Sequence, residues 1–199
     1  MADQLSMFDA PAPRALPEGF RYQPDLVPAA DERELIARVE ELPLREFEFQ
    51  GYTGKRRVVS FGWRYDFNDR VLHKVDDIPA FLLSLRELAA RFADVDAQAL
   101  QHVLVTEYSP GAAIGWHRDK AVFGDVIGIS LRAPCTFRLR LKQGETWKRA
   151  SIIAEPRSAY LLRGPSRTEW EHSIPAVEEL RYSITFRNLR EDLKVHSRR

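Results

Sequence analysis

From residue 101 to residue 189 the chain is a succession of short β-prone runs, and no other feature restricts its fold so much. "QHVLVTEY" (101–108), "VIGISL" (126–131), "CTFRLRL" (135–141), "RASIIAE" (149–155), "AYLLRG" (159–164) and "YSITFRNL" (182–189) are separated by Gly, Pro and Asp clusters. In "CTFRLRL", Phe137, Leu139 and Leu141 alternate with Arg138 and Arg140, the two-residue period of a strand with one face on a core. Many short strands of this kind bury their apolar faces by closing into a sandwich or a jelly-roll barrel.

The first half reads differently. "ADERELIARVEEL" (30–42) puts Leu35, Ile36, Val39 and Leu42 on one helical face. "IPAFLLSLRELAARFADV" (78–95) carries a stripe of Phe81, Leu82, Leu85, Leu88, Ala89 and Phe92, with Asp77 placed to cap its start. Between them, "YTGKRRVVSFGWRYDF" (52–67) is a strand or hairpin whose aromatics Phe61, Trp63, Tyr65 and Phe67 are spaced to share one face. Helices followed by strands predict an α+β chain. The expected parts are a flexible tail over 1–19, containing Pro11, Pro13 and Pro17, then helices and a hairpin over 20–98. A strand-rich core follows over 99–190, and a second tail over 191–199.

Hydrophobic residues make up 44% of the 199, enough for a packed core, while 30 basic and 29 acidic residues leave a formal charge of +1. That balance excludes a nonspecific polycation but not a local basic surface for nucleic acid. One cysteine, Cys135, rules out an intrachain disulfide and fits a reducing compartment. The N-terminus lacks a basic and apolar secretory leader, and no apolar run approaches the roughly 20 residues that span a bilayer. A soluble, cytoplasmic protein without a membrane partner is expected.

Three short stretches carry possible chemistry. "GWHRDK" (115–120) places His117 and Asp119 two apart, so on a strand both side chains project to the same face. His172, in "EWEHSIP" before the last strand, would complete a facial triad of two histidines and a carboxylate, a set suited to non-haem iron(II). Singly, each also fits an ordinary charged turn or loop histidine. "RYSITFR" (181–187) puts Arg181, Ser183, Thr185 and Arg187 on one face, and Tyr182, Ile184 and Phe186 on the other. A solvated edge strand would satisfy that pattern. So would an inward pair of arginines gripping a small dicarboxylate at both ends.

Taken together and in order, "YSPGAAIGWHRD", His172 and "RYSITFR" resemble the AlkB-like iron(II)- and 2-oxoglutarate-dependent dioxygenases. The resemblance covers about residues 100–190. It implies a double-stranded β-helix, or jelly-roll, core, with N-terminal supporting helices and a hairpin region that covers the substrate. It also implies Fe(II), 2-oxoglutarate and O2 as cofactors, with His117, Asp119 and His172 as metal ligands. By the same resemblance, Arg187 takes the carboxylate beside the keto group, and Arg181 and Tyr108 take the distant one. Two departures stand out. Thr106 and Ser183 occupy positions where the family often has asparagines, and both can still hydrogen-bond. Ala121 stands where the DNA-repair type often has an acid that contacts the damaged base.

The implied reaction is oxidative dealkylation of an N-alkylated base in DNA or RNA, single- or double-stranded, as in repair of alkylation damage. Hydroxylation or demethylation of a protein or small molecule is the alternative, and a non-catalytic jelly-roll binding module a third. Trp63 and Tyr65 are candidate grips for an extruded base, Arg57 for phosphate, and Trp116 for packing under or lining the site. Independently, "QLSMF" (4–8) is similar to the short peptide by which bacterial DNA-processing proteins dock on the sliding clamp. Gln4, Leu5, Met7 and Phe8 would be its contacts, and a tail helix or a staple of the tail onto the body is the rival reading.

Overall fold

A computed structural model describes residues 15–49, 52–66 and 71–190. The short strand β1 (Phe20–Gln23) precedes helix α1 (Ala29–Glu40), and β2 (Arg45–Phe49), β3 (Tyr52–Phe61), β4 (Trp63–Tyr65) and β5 (Leu72–Lys74) follow it. A 3-10 turn at Ala80–Leu82 leads into α2 (Leu83–Ala93). The remaining strands are β6 (Leu100–Tyr108), β7 (Ile114–His117), β8 (Phe123–Leu131), β9 (Cys135–Gln143), β10 (Thr146–Ala154) and β11 (Ala159–Leu162). After the short α3 (Pro165–Thr168) come β12 (Glu171–Ile174) and β13 (Arg181–Leu189).

The strands form a seven-stranded sheet in the order β1-β11-β8-β13-β6-β3-β2 and a four-stranded sheet in the order β10-β9-β12-β7, with β4-β5 as a separate hairpin. The central strands of the large sheet are buried on both faces, and the two faces serve different cores. One face sends Val103, Val105, Ile127, Ile129, Ile184 and Phe186 against Leu35 and Val39 of α1 and Leu85, Ala89 and Ala93 of α2. The other packs Tyr108, Val126, Tyr160 and Leu162 against Phe137, Leu139 and Ile174 of the small sheet. This is the expected jelly roll, with its helices on the outside of one sheet.

β13 shows why the design works. It is central, between β8 and β6, so both faces are covered. Tyr182, Ile184 and Phe186 enter the helix-side core, and the alternate residues Arg181, Ser183, Thr185 and Arg187 are buried between the sheets. A solvated edge strand is thereby excluded. Two arginines on an inner face cost desolvation unless something there pairs with them.

Local expectations are corrected in the first half. Asp77 does not cap α2; its carboxylate accepts from Lys74 Nζ at 2.9 Å, and the helix grows instead from the 3-10 turn after Pro79. The helix also stops at Ala93, where Asp94 adopts a left-handed φ of 52° and its N–H caps the last turn. Nor do the aromatics of "FGWRYDF" share a face. Phe61 ends β3 in the helix-side core, and Gly62 turns the chain at φ +75°. A Cβ on Gly62 would lie 2.0 Å from the Gln101 carbonyl oxygen, so the strand breaks there and only Trp63 and Tyr65 continue into β4. Phe67 and the QLSMF segment, with Gln4, Leu5, Met7 and Phe8, lie outside the described residues. No helix among the described residues is long and apolar enough to cross a membrane.

Candidate metal centre

His117 ends β7, the edge strand of the small sheet, and His172 lies directly opposite it on β12. Their rings approach to 4.2 Å between centroids. Asp119 is not on the strand; it sits two residues beyond β7, in the turn towards β8. Side-chain alternation therefore does not bring it beside His117. Arg187 does: its Nε and Nη2 donate to Asp119 Oδ1 at 2.9 and 2.7 Å, pulling the carboxylate into the inter-sheet space. One ligand-type atom from each of His117, Asp119 and His172 falls within 4.8 Å of the others. Arg118, between two of them, points away and donates to the Thr168 carbonyl at 3.1 Å.

The chemical state of this group suits a cation. His117 Nδ1 donates to the Gly115 carbonyl at 2.9 Å, which leaves Nε2 as the lone-pair nitrogen. Burial lowers the pKa of His117, and burial followed by the neighbouring His117 lowers that of His172 to about 3, so both rings are neutral at neutral pH. Burial opposes ionisation of Asp119, but Arg187, with smaller contributions from the two histidines, outweighs it and holds the carboxyl well below the usual range. Its second oxygen, Oδ2, is buried without a hydrogen-bond partner, 3.6 Å from His172 Nε2. A buried carboxylate oxygen left bare costs free energy unless a positive ligand meets it. Two neutral imidazoles and this oxygen are the donor set that a divalent transition metal takes.

A second demand for a ligand lies further along β13. Arg181 is 1% exposed. Its Nη2 donates to Ser130 Oγ at 2.8 Å and its guanidinium lies 4.7 Å from the centroid of the Tyr108 ring, yet Nε and Nη1 have no acceptor. Ser183 is register-paired with Thr106 on one side and Ser130 on the other, so three hydroxyls line the same row. Unmatched guanidinium donors beside hydroxyls fit a carboxylate, and Asp119 with the histidines fits a metal ion.

The substrate-side expectations fare unevenly. Tyr65 meets the residue after Asp119, with Lys120 Nζ 5.4 Å from its ring centroid, and Trp63 shares its face of β4. Arg57 is turned to the helix side of the sheet, where Nε and Nη2 both donate at 2.7 Å to the buried Glu107. The adjacent Arg56, opposite Tyr108, is the one whose charge reaches His117. Trp116 does not line the metal either. It projects from the outer face of β7, with Arg138 and Arg140 over its ring at 5.0 and 4.4 Å.

Three residues were not singled out for this site from sequence. His102 is register-paired with Arg187 and accepts from its Nη1 at 3.4 Å; its spacing from Thr106 and Tyr108 along β6 is the signal that places it inward. Tyr160 crosses over Gly128, where an added Cβ would meet its Cζ at 2.2 Å. Arg167 donates to the carbonyls of Lys120, Phe123 and Gly124 and so pins the turn that carries Asp119; only the fold brings these together.

Comparison with known proteins agrees with this geometry. The sequence profile described as the 2OG-Fe(II) oxygenase superfamily matches residues 19–187. The chain is 29% identical over 183 residues to the Alkylated DNA repair protein ALKBH8 homolog of Arabidopsis thaliana, an alignment covering 79% of this chain and 51% of that one. It is 28% identical over 126 residues to the mitochondrial Alpha-ketoglutarate-dependent dioxygenase alkB homolog 7 of Mus musculus, covering 59% and 56%. It thus spans about half the length of the curated relatives it matches. The solved structure of OsALKBH1 superposes with a TM-score of 0.64 at 17% identity, over 87% of this chain and 98% of that one. A Pseudomonas putida prolyl-4-hydroxylase superposes at 0.58 and 16%, over 86% and 93%. With the His-Asp-His group in place and the superfamily profile running through it, the chain belongs to the 2OG-Fe(II) oxygenase superfamily, whose cofactors are Fe(II), 2-oxoglutarate and O2, and it is similar to AlkB-named relatives.

Proposed function

We propose that this dioxygenase removes alkyl groups oxidatively from nucleobases in single-stranded or unpaired nucleic acid, with His117, Asp119 and His172 as its iron ligands. The observation that carries the site assignment is the bare Oδ2 of Asp119 beside two neutral histidines, with the unmatched donors of Arg181 on the same inner face. Arg181 and Tyr108 hold the distant carboxylate of 2-oxoglutarate, helped by Thr106 and Ser183. Arg187 orients Asp119 and serves the carboxylate beside the keto group. When bound, the iron and 2-oxoglutarate supply the oxidation of a substrate C–H to C–OH by O2, with succinate and carbon dioxide as co-products.

The chain's own residues do the rest. Arg187 fixes one oxygen of Asp119, so the other is oriented without reorganisation. Gly115 fixes the tautomer of His117. Phe137, stacked on the His172 ring at 5.3 Å between centroids, keeps water from that side. Tyr65, beside Lys120, and Trp63 on the same face of β4 offer flat faces to an extruded base, and Arg56 offers a cation to its phosphate. The nucleic-acid assignment is supported by the likeness to a relative named for repair of alkylated DNA. Ala121 offers no acid to the base, which favours a base recognised by stacking and shape. The single cysteine, buried and unpaired, suits a cytoplasmic setting.

The test is a screen of N-methylated single-stranded DNA, tRNA and histone peptides, with formaldehyde and succinate both measured. Formaldehyde from the oligonucleotides supports the proposal; formaldehyde from the peptide alone replaces it with the protein-directed alternative. Asp119→Ala is expected to abolish iron binding and both products, and an Asp119→Ala enzyme with wild-type turnover removes the ligand assignment.

A further inference from the structure

The outer face of the four-stranded sheet is built unlike a surface that only has to stay wet. Arg140 on β9 lies between two indoles, 4.4 Å from the Trp116 centroid on β7 and 4.2 Å from that of Trp147 on β10. Arg138 lies over Trp116 at 5.0 Å and donates to Ser173 Oγ at 3.0 Å. Strand register adds to this face: Lys142 is opposite Trp147, and Arg149 is directly opposite Arg140. Among the described residues, four cations on these central positions, Arg138, Arg140, Lys142 and Arg149, are thus answered by one carboxylate, Glu171, which pairs with Arg140 at 2.7 Å.

Like charges directly opposite each other destabilise a sheet, so the Arg140–Arg149 pair gains the fold nothing. An external polyanion would relieve it. The face also adjoins the metal centre. β7 is the edge strand, so His117 and Trp116 project to opposite sides of one strand, and a chain leaving the centre has only that strand's width, about 5 Å, to cross. The indoles are half-buried and are braced by guanidinium planes, the combination that stacks bases without regard to sequence.

We propose that this face is a docking strip for the single-stranded nucleic acid flanking the substrate base, with Lys142, Arg149 and Arg138 taking phosphates and Trp116 and Trp147 taking bases. The inference rests on the nucleic-acid reading of the site and extends it to a surface outside the pocket. An acidic peptide would be drawn by the cations but would leave the indoles unused.

The experiment is anisotropy titration of the full chain with fluorescein-labelled 15-nucleotide oligodeoxythymidine across a salt series. Lys142→Ser/Arg149→Ser is expected to weaken binding about ten-fold and to flatten the slope of log K against log salt by about 1.4, the counterion release of two phosphate contacts. Both side chains are exposed, so this variant keeps its fold. Trp147→Ala is expected to weaken binding about ten-fold, and Trp147→Phe to restore most of it, which a merely structural role for the ring would not require. Unchanged affinity and slope in the double variant overturn the strip, as does displacement of the oligonucleotide by oligoglutamate as effectively as by unlabelled oligodeoxythymidine. Formaldehyde release from a methylated oligonucleotide separates the two proposals. Release with unchanged binding in the variants removes the strip alone. Strip-dependent binding without release from any methylated strand removes the dealkylation reading and keeps the strip.

Discussion

The Arg187 guanidinium grips Asp119 Oδ1 through Nε at 2.9 Å and Nη2 at 2.7 Å, and leaves Oδ2 of the same buried carboxylate bare. One oxygen is fixed by the guanidinium and the other is the atom proposed to meet the metal. The grip needs a planar fork. Arg187→Lys keeps the charge but offers a point donor, so the carboxylate is free to rotate. Iron affinity is expected to fall about ten- to a hundred-fold, the range found when the partner of a metal ligand is lost. Competition against a chelator measures it, and wild-type affinity in Arg187→Lys would refute the orienting role.

The same pair makes a stability prediction for the metal-free chain. Asp119→Asn is nearly isosteric, but it removes the anion and leaves Arg187 buried beside a neutral amide. Breaking one side of a buried ion pair costs about 3–5 kcal/mol. Asp119→Asn/Arg187→Met removes both charges and is expected to recover a good part of that loss. Urea unfolding of the wild type and the two variants checks it. A double variant no more stable than the single one would mean that the pair matters through packing and not through charge.

Much of this centre could be read from residue order alone, and its failures have physical causes. Alternation in "RYSITFR" places both arginines on one face because a strand's period does not depend on its neighbours. The histidines follow from motif order. Asp119 was expected to share a strand face with His117, whereas the strand ends first and Arg187, 68 residues away, does the positioning. Arg57 and Arg56 look alike in "KRR"; only pairing with β6 decides that one meets Glu107 and the other faces His117. β7 and β12 carry two of the three proposed ligands in four residues each, too short for periodicity to show. Gly62 defeats the aromatic stripe because its φ and the close Gln101 carbonyl are tertiary facts.

His102 gives the pH dependence. Burial first, and the nearby Arg187 second, push its pKa well below the ordinary 6.5, with Asp119 opposing weakly. The folded chain thus keeps this ring neutral, accepting from Arg187 Nη1 at 3.4 Å, while the unfolded chain protonates it near 6.5. The unfolded state binds more protons below 6.5, so the stability from His102 is complete above that pH and is lost as pH falls through it. His117 and His172 contribute with the same sign. One such group makes the slope up to about 1.4 kcal/mol per pH unit. Urea midpoints of the metal-free protein between pH 7.5 and pH 5 are expected to fall less steeply for His102→Asn than for the wild type. Identical slopes would mean that His102 titrates alike in the folded and unfolded chains.

Tyr160 and Gly128 depend on each other across the strands β11 and β8. They are register partners, and the phenol ring lies so close over Gly128 that a Cβ there would meet Cζ at 2.2 Å and the hydroxyl at 2.4 Å. Gly128 is also opposite Thr185, which lies between Arg181 and Arg187 on β13. The ring therefore occupies the inner face between the two arginines because glycine leaves room for it. Gly128→Ala forces the ring away, and overpacking of this kind costs about 1–3 kcal/mol. Tyr160→Phe does not relieve the clash, since Cζ remains, whereas Tyr160→Leu shortens the side chain. Gly128→Ala/Tyr160→Leu is accordingly expected to be more stable than the sum of the two single changes by about 1 kcal/mol or more, a coupling that residues in contact show and distant ones do not. Thermal unfolding of the four proteins in this cycle measures the coupling. Strict additivity would mean that the ring does not rest on Gly128 in solution.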